Sequence, residues 1–302
     1  MEIMNASENN IVKIIRHVTM VGFWINAVLV VLKLFFGYWG HSDALVADGY
    51  HSVSDFITDF IVIIFASTAY KSADKDHPYG HGKYETFASL VIGVILLLVA
   101  LFLLYEGIDR IVYTLKGNIL DRPDIWTIFV AIISILLKEG CYRYTKKEGM
   151  KIGSSSLMAN AEHHRSDAIS SIATLIGVGF AFALGAKWRI LDPIASIVIS
   201  AMIMLSAYKI AKPAINELLE ISLPEDEMAE ILKISNNVEG VKKIHNLRGR
   251  RNGHSTIIEM NVHVDPNITV EAGHIIATNI EKTLREKISR DMIIYIHIEP
   301  DK

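Results

Sequence analysis

The sequence predicts a membrane α-helical protein with six transmembrane helices, followed by a small cytoplasmic α+β domain. Of the 302 residues, 51% are hydrophobic and 21% are charged, which is too apolar for a typical soluble chain of this length. The apolar residues are concentrated before about position 212. Beyond that position charged residues are denser, and short helix and strand patterns alternate.

Each predicted membrane helix is a stretch able to cross the hydrocarbon core, which is about 30 Å thick and needs about 20 apolar residues. The first follows a polar lead and has no small-residue cleavage signature, so we interpret it as a span and not as a cleaved signal peptide. The second and fifth are apolar overall but carry His and Asp near one end. The six stretches are 18–40, 43–70, 86–105, 125–144, 154–184 and 190–210.

Charge and cysteine content narrow the class of protein. Six crossings put both termini on one side, and the loops of that side hold ten Lys and Arg residues against five on the other. The positive-inside rule therefore predicts cytoplasmic termini. The net charge of −3 gives no nucleic-acid footprint, and the single Cys141 excludes a cysteine-based zinc cluster. Any metal site must use His, Asp and Glu.

Residues 212–302 are predicted to form a separate domain, which leaves 1–211 as the transmembrane domain. An amphipathic helix opens near Pro224, with acidic residues in its first turn. Two strands follow, then the helix TVEAGHIIATNIEKTLREKI and a last strand, MIIYIHIEP. The alternating apolar residues of the second strand are Ile258, Met260, Val262 and Val264. The order α-β-β-α-β predicts a compact α+β unit of about 90 residues.

Two pairs of ligands lie inside the second and fifth stretches. His51 and Asp55 are four residues apart and share one helix face, and His163 and Asp167 repeat that spacing. Facing helices would bring two imidazoles and two carboxylates to one point, a tetrahedral set suited to Zn²⁺. The two carboxylates neutralise a dication at membrane depth, and when empty they retain protons. Metal and protons would therefore compete for one site, as an antiporter requires.

The register of this set leaves alternatives. Asp55 and Asp59 are also four apart, and His164 competes with His163. Asp48 could serve as an entry group outside the ligand set. The polar residues could instead line a water-filled cavity or pair with basic residues, although ionisable groups at membrane depth are usually functional.

Two further groups of ligands lie outside the spans. In the loop ADKDHPYGHGKYE, Pro and Gly favour a tight turn that brings side chains together, and Asp76 could replace Asp74 there. The loop set is Asp74, His77 and His81. In the last strand, two ligands alternate onto the same face. The C-terminal set is His245, His263, His274, His297 and Glu299.

With these three sets, the chain resembles the cation diffusion facilitator family, in particular its bacterial zinc and ferrous-iron efflux members. HPYGHGKYE is a signature of that family, and ELLEISLP matches the stretch joining its sixth span to the cytoplasmic domain. The resemblance implies a transport site, a loop site and a binuclear cytoplasmic site at the three sets above, and a metallochaperone-like cytoplasmic fold. It also implies that Lys83 and Glu220 form the charged pair that locks a homodimer. Glu299 stands where relatives can carry Asp, and His51 where some carry Asp or Tyr.

The ligands and the resemblance together predict a multi-pass transporter of the inner (plasma) membrane. It would export Zn²⁺ in exchange for protons by alternating access in a homodimer, with zinc also bound as a regulatory ligand. Imidazole ligands favour zinc over magnesium or calcium, while Fe²⁺, Cd²⁺ and Co²⁺ remain alternatives.

Two other functions stay open. A metal-dependent intramembrane hydrolase would need an open coordination position and a nearby general base. A non-transporting metal sensor or heterodimer partner of the same architecture would keep the ligands without flux.

Overall fold

The computed structural model describes residues 2–69, 71, 73–152, 155–253, 255–288 and 291–301. Within these ranges, side chains are described except at 2–13, 15–16, 58–69, 152, 155–156 and 159. Asp59, one of the alternative ligands, therefore lies outside the described side chains. Six long helices come first: α1 Glu2–Trp39, α2 Asp43–Ala69, α3 Lys83–Leu115, α4 Ile125–Ile152, α5 Ser155–Ala183 and α6 Leu191–Leu218. A short 3-10 helix, Ala186–Trp188, precedes α6.

The membrane α-helical fold class is confirmed. Within the described residues, five helices are long and apolar enough to cross a membrane. The other long helix, α2, has 27 residues, which is about 40 Å of helix. Large apolar side chains such as Leu98 and Phe102 are more than half exposed, as expected for surfaces that contact lipid.

The helices extend beyond the apolar stretches that predict them. Helix α3 begins at Lys83 and ends at Leu115, whereas the apolar stretch covers only 86–105. Backbone hydrogen bonding continues a helix through polar residues, so hydropathy locates the buried part and not the ends.

One compact unit comprises Met1–Phe60 and Ile92–Tyr208. In it, α5 approaches α6 closely at Gly177, where a Cβ would collide with the Cβ of Ala195. The start of α2 is fixed by Asp192 of α6, whose carboxylate accepts from the backbone N–H of Asp43 at 2.5 Å and from the Ser42 hydroxyl at 2.8 Å. The bond from the Asp43 N–H satisfies a donor that the first turn of a helix leaves without an intrahelical partner.

The second compact unit comprises Ile61–Val91 and Lys209–Lys302. Its C-terminal part has the predicted order: α7 Glu225–Asn236, β1 Lys243–Asn252, β2 Ser255–Val264, α8 Val270–Lys287 and β3 Met292–Pro300. The sheet order is β1-β2-β3, with β1 antiparallel and β3 parallel to β2. The four alternating apolar residues of β2 are buried, at 0–3% exposure. They form one core with Ile231 of α7 and Ile280 and Leu284 of α8.

The ten basic residues assigned to the cytoplasmic loops include Lys138, and for this residue the assignment is wrong. Lys138 lies inside α4 with 0% of its side chain exposed. A lysine at that depth carries no information about loop charge. Cytoplasmic termini and the boundary at 211/212 stay predictions.

Candidate metal sites

The predicted transport ligands of α2 and α5 converge. Ligand atoms of His51, Asp55 and Asp167 all lie within 4.8 Å of one another. His51 Nε2 is 4.0 Å from Asp167 Oδ1, and His163 Nε2 is 4.0 Å from Asp55 Oδ1. Ligands of a tetrahedral zinc ion are about 3.4 Å apart, so a bound ion would shorten these distances by about 0.6 Å. The set can therefore close on a small dication.

The two adjacent histidines of α5 face different neighbours. His163 Nδ1 is 3.9 Å from Asp167 Oδ1, and its other nitrogen faces Asp55. His164 instead lies against Gly22 of α1, where a Cβ would be 3.0 Å from its Nε2. His164 is 3% exposed, and neither of its ring nitrogens has a hydrogen-bond partner in the described part of the chain. This geometry favours His163 as the ligand.

The compact unit that contains these transport ligands also contains two buried lysines, Lys33 and Lys138. Lys138 Nζ donates to Asp167 Oδ2 at 2.6 Å, and Lys33 Nζ is 2.8 Å from Asp48 Oδ2. Pairing of the intramembrane carboxylates with basic residues was one of the alternatives to a metal site, and it holds for these two. The pairing does not exclude a metal site at Asp167, because the other carboxylate oxygen, Oδ1, faces the histidines.

A serine network surrounds the second pair. Lys33 Nζ also donates to Ser52 Oγ at 3.1 Å and Ser171 Oγ at 3.2 Å. Ser171 Oγ donates to Asp48 Oδ2 at 3.0 Å. Asp48 is thus held away from the ligand cluster by its own partners. Its lysine was missed because nothing in the local sequence links α1 to α2.

The loop ligands also converge. Asp74 Oδ1 is 3.4 Å from His77 Nδ1, and Asp74 Oδ2 is 3.4 Å from His81 Nε2. The backbone N–H groups of His77 and Asp76 donate to Asp74 Oδ1 at 2.8 and 3.0 Å, and the His77 bond is the main cause that lowers the pKa of Asp74. The turn therefore fixes Asp74, and not Asp76, between the two imidazoles.

Three strands bring most of the C-terminal set onto one face of the sheet. His245 Nε2 on β1 and His263 Nε2 on β2 lie 3.0 and 3.3 Å from Glu299 Oε2 on β3. His297 Nε2 is 3.7 Å from Glu299 Oε1. The hydrogen bond with His245 is the main cause that lowers the pKa of Glu299. The carboxylate is thus the centre of the cluster.

His274 is not part of this cluster. It is exposed on α8, beside a groove that Asp265 and Pro300 also line. Two residues that the sequence did not single out are present instead. Asn261 Nδ2 donates to Glu299 Oε1 at 2.6 Å, and Asp301 Oδ1 is 3.3 Å from His263 Nδ1. Alternation along β2 places Asn261 on the same face as His263, which was the available signal.

The predicted charged pair is formed within one chain. Lys83 Nζ donates to Glu220 Oε1 at 2.8 Å, and Arg250 Nε of β1 is 3.6 Å from the same oxygen. The Lys83 hydrogen bond is the main cause that lowers the pKa of Glu220. Nearby, Glu217 Oε1 accepts from Thr86 Oγ1 and from Gly253 N, both at 2.5 Å.

Comparison with known proteins agrees with this architecture. A family model described as the cation efflux transmembrane domain matches residues 19–219, and one described as the cation efflux protein cytoplasmic domain matches 223–301. The chain is 37% identical over 284 residues to metal tolerance protein C1 of Arabidopsis thaliana, covering 90% of this chain and 59% of that protein. It is 32% identical over 299 residues to the manganese efflux system protein MneP of Bacillus subtilis, covering 98% of both. It is 30% identical over 278 residues to the magnetosome protein MamB of a Magnetospira species, covering 92% of both.

The fold, the ligand clusters and these matches define a membrane transporter and not an enzyme. The chain belongs to the cation diffusion facilitator family of metal cation efflux transporters. It spans 59% of the length of the plant relative and nearly the whole length of the Bacillus one.

Proposed function

We propose that this protein exports Zn²⁺ across the plasma membrane in exchange for protons, working as a homodimer with both termini in the cytoplasm. The observation that carries the proposal is the convergence of His51 and Asp55 on α2 with His163 and Asp167 on α5. Two imidazoles and two carboxylates suit zinc in ligand type and in charge.

The same ligands support exchange with protons. Asp55 Oδ2 is buried and has no hydrogen-bond partner among the described residues, so it can take either a metal or a proton. All four ligands bind metal only when deprotonated, so protons arriving from outside promote metal release. Reorientation of the helices between the two binding events would complete an alternating-access cycle.

The two other clusters fit regulation. The three-strand cluster around Glu299 lies in the part that matches the cytoplasmic domain of the family. Metal bound at this cluster would stabilise the arrangement of the two protomers in which its ligands lie closest together. The Lys83–Glu220 ion pair would stabilise the start of this cytoplasmic part.

The test is zinc flux into proteoliposomes across a pH gradient. Asp55→Asn should reduce flux to background because it removes one ligand charge. The matched control is Asp109→Asn, an exposed carboxylate of α3, which should transport like wild type. If Asp55→Asn transports zinc as fast as wild type, the transport site does not include Asp55.

Manganese is the second candidate substrate, favoured by the full-length match to a protein named for manganese efflux. The same assay with Zn²⁺, Mn²⁺, Fe²⁺ and Cd²⁺ separates the candidates. Zinc should give the highest kcat/KM, and a higher value for manganese would select the second candidate. Specific zinc binding with no flux of any metal would instead indicate a sensor.

A further inference from the structure

Lys138 of α4 is a buried cation on a proposed transport ligand. Its side chain is 0% exposed, and its Nζ is 2.6 Å from Asp167 Oδ2. In the described part of the chain, Asp167 is the one hydrogen-bond acceptor of this ammonium group. The contact joins α4, which carries none of the four ligands, to the site.

The two oxygens of Asp167 have different partners. Oδ2 holds Lys138, whereas Oδ1 faces the histidines, at 4.0 Å from His51 Nε2 and 3.9 Å from His163 Nδ1. The other carboxylate, Asp55, has an oxygen with no hydrogen-bond partner among the described residues. One carboxylate of the site is therefore compensated by a built-in cation, while the other is available.

We propose that the Lys138 ammonium group competes with the transported metal for Asp167, and so sets metal affinity and promotes release. The inference rests on the proposed function of the site. Two carboxylates and one ammonium give the empty site a formal charge of −1, and a dication raises it to +1. Without Lys138 these values would be −2 and 0, so the dication would be held more strongly.

The second buried lysine shows why the inference is confined to Lys138. Lys33 shares its ammonium among Asp48, Ser52 and Ser171, and Asp48 is not in the ligand cluster. Displacing that ammonium would leave the buried charge of Asp48 without its lysine and with no metal to replace it. Metal at the transport site would instead compete with Lys138 for the charge of Asp167, because the ammonium group holds Oδ2 while the ligand cluster faces Oδ1.

The experiment is zinc flux in proteoliposomes at fixed pH, with KM and kcat measured separately. Lys138→Gln should lower KM by about 10- to 100-fold, the range by which groups adjacent to metal ligands alter affinity. It should also lower kcat, since a tightly held ion leaves slowly. Lys147→Gln, an exposed lysine of the same helix, is the matched control and should leave both constants unchanged. An unchanged or raised KM in Lys138→Gln overturns the proposal.

Lys138→Arg provides a second test, which does not require the uncharged Lys138→Gln variant to fold. A guanidinium can hold both carboxylate oxygens in a fork, so it should compete better and raise KM roughly tenfold. A lower KM in this variant contradicts the competition. Loss of the proposed function is distinguished by Asp55→Asn: if that variant transports like wild type, the site itself is wrong. If it is inactive while the Lys138 variants keep the wild-type KM, only this inference fails.

Discussion

Among the proposed transport ligands, His51 has the chemistry that bears most directly on the choice of metal. It contributes an imidazole beside two carboxylates, and its side chain is 12% exposed. Imidazole suits zinc and iron, whereas oxygen ligands suit manganese. Selectivity should therefore respond to this one side chain.

Replacement of the imidazole by an amide should shift selectivity. His51→Asn is expected to lower the ratio of zinc to manganese kcat/KM by about tenfold or more, because it exchanges a nitrogen ligand for an oxygen ligand. Competition flux with both metals measures the ratio.

The control for this substitution is His41→Asn. His41 is an exposed residue with a φ of 54°, a conformation that Asn accepts. It should leave the ratio as in wild type. A manganese preference unchanged in His51→Asn would contradict the assignment of this ligand.

The convergence of the proposed ligands was predictable from the sequence, whereas the pairing of intramembrane carboxylates with buried lysines was not. A spacing of four residues within one helix identifies the pairs His51/Asp55 and His163/Asp167. Lys138 and Asp167 lie on different helices, and no local pattern pairs them. The run of apolar residues before Lys138 was the available signal that this lysine lies deep in α4.

Helices α1, α2 and α5 are connected at the element scale by the Lys33–Asp48 pair and its serines. Ser171 of α5 is also 3.1 Å from Ser134 of α4, so the hydrogen bonds extend to a fourth helix. Removing one partner of a buried ion pair leaves the other charge uncompensated. The stability of this helix packing should therefore depend on Lys33 and Asp48 being present together.

Lys33→Met is expected to lower the free energy of unfolding by about 3–5 kcal/mol, the usual effect of breaking a buried pair. Lys33→Met with Asp48→Asn should be less destabilised than the sum of the single variants. Denaturant unfolding in detergent measures these differences.

The control is Lys116→Met at an exposed position, which should change stability by no more than about 0.5 kcal/mol. Additive effects of the two buried substitutions would mean that Lys33 and Asp48 act independently.

The existence and order of the helices and strands could be predicted because apolar residues recur with a different period in each type of element. Apolar stretches gave the long helices, and alternation gave β2. The parallel pairing of β3 with β2 depends on contacts distant in the chain, which periodicity does not report. The exclusion of His274 from the cluster has the same origin, since α8 carries it away from the strand face.

On the scale of the whole molecule, segments far apart in sequence meet at the Lys83–Glu220 pair. Glu220 follows α6, Lys83 begins α3, and Arg250 belongs to β1. Beside them the backbones at Gly82 and Gly253 approach so closely that a Cβ at either would collide with a backbone carbonyl of the other segment. The loop holding Asp74 is thereby joined to the β1–β2 turn.

The charged pair predicts a pH dependence of stability. Lys83 keeps the pKa of Glu220 below its ordinary value, so the stabilisation is present above that value and is lost as pH falls through the lowered one. Because Glu220 is half exposed, the effect should not exceed about 1 kcal/mol.

Thermal melting of wild type and Glu220→Gln should therefore differ at pH 7 and converge once the pH has fallen through the lowered pKa of Glu220. Glu225→Gln, an exposed residue in the first turn of α7, controls for the general effect of losing one carboxylate. A difference between wild type and Glu220→Gln that grows on acidification would contradict the pairing.

The Lys138–Asp167 contact has an electrical consequence. With the ammonium present, the metal-loaded site holds one net positive charge, whereas the returning site is neutral when one proton occupies Asp55. A membrane potential exchanges about 2.3 kcal/mol with each charge moved through 100 mV. Voltage would then act on the loaded reorientation and not on the return, so cycling speed would depend on the energised state of the membrane as well as on the proton gradient.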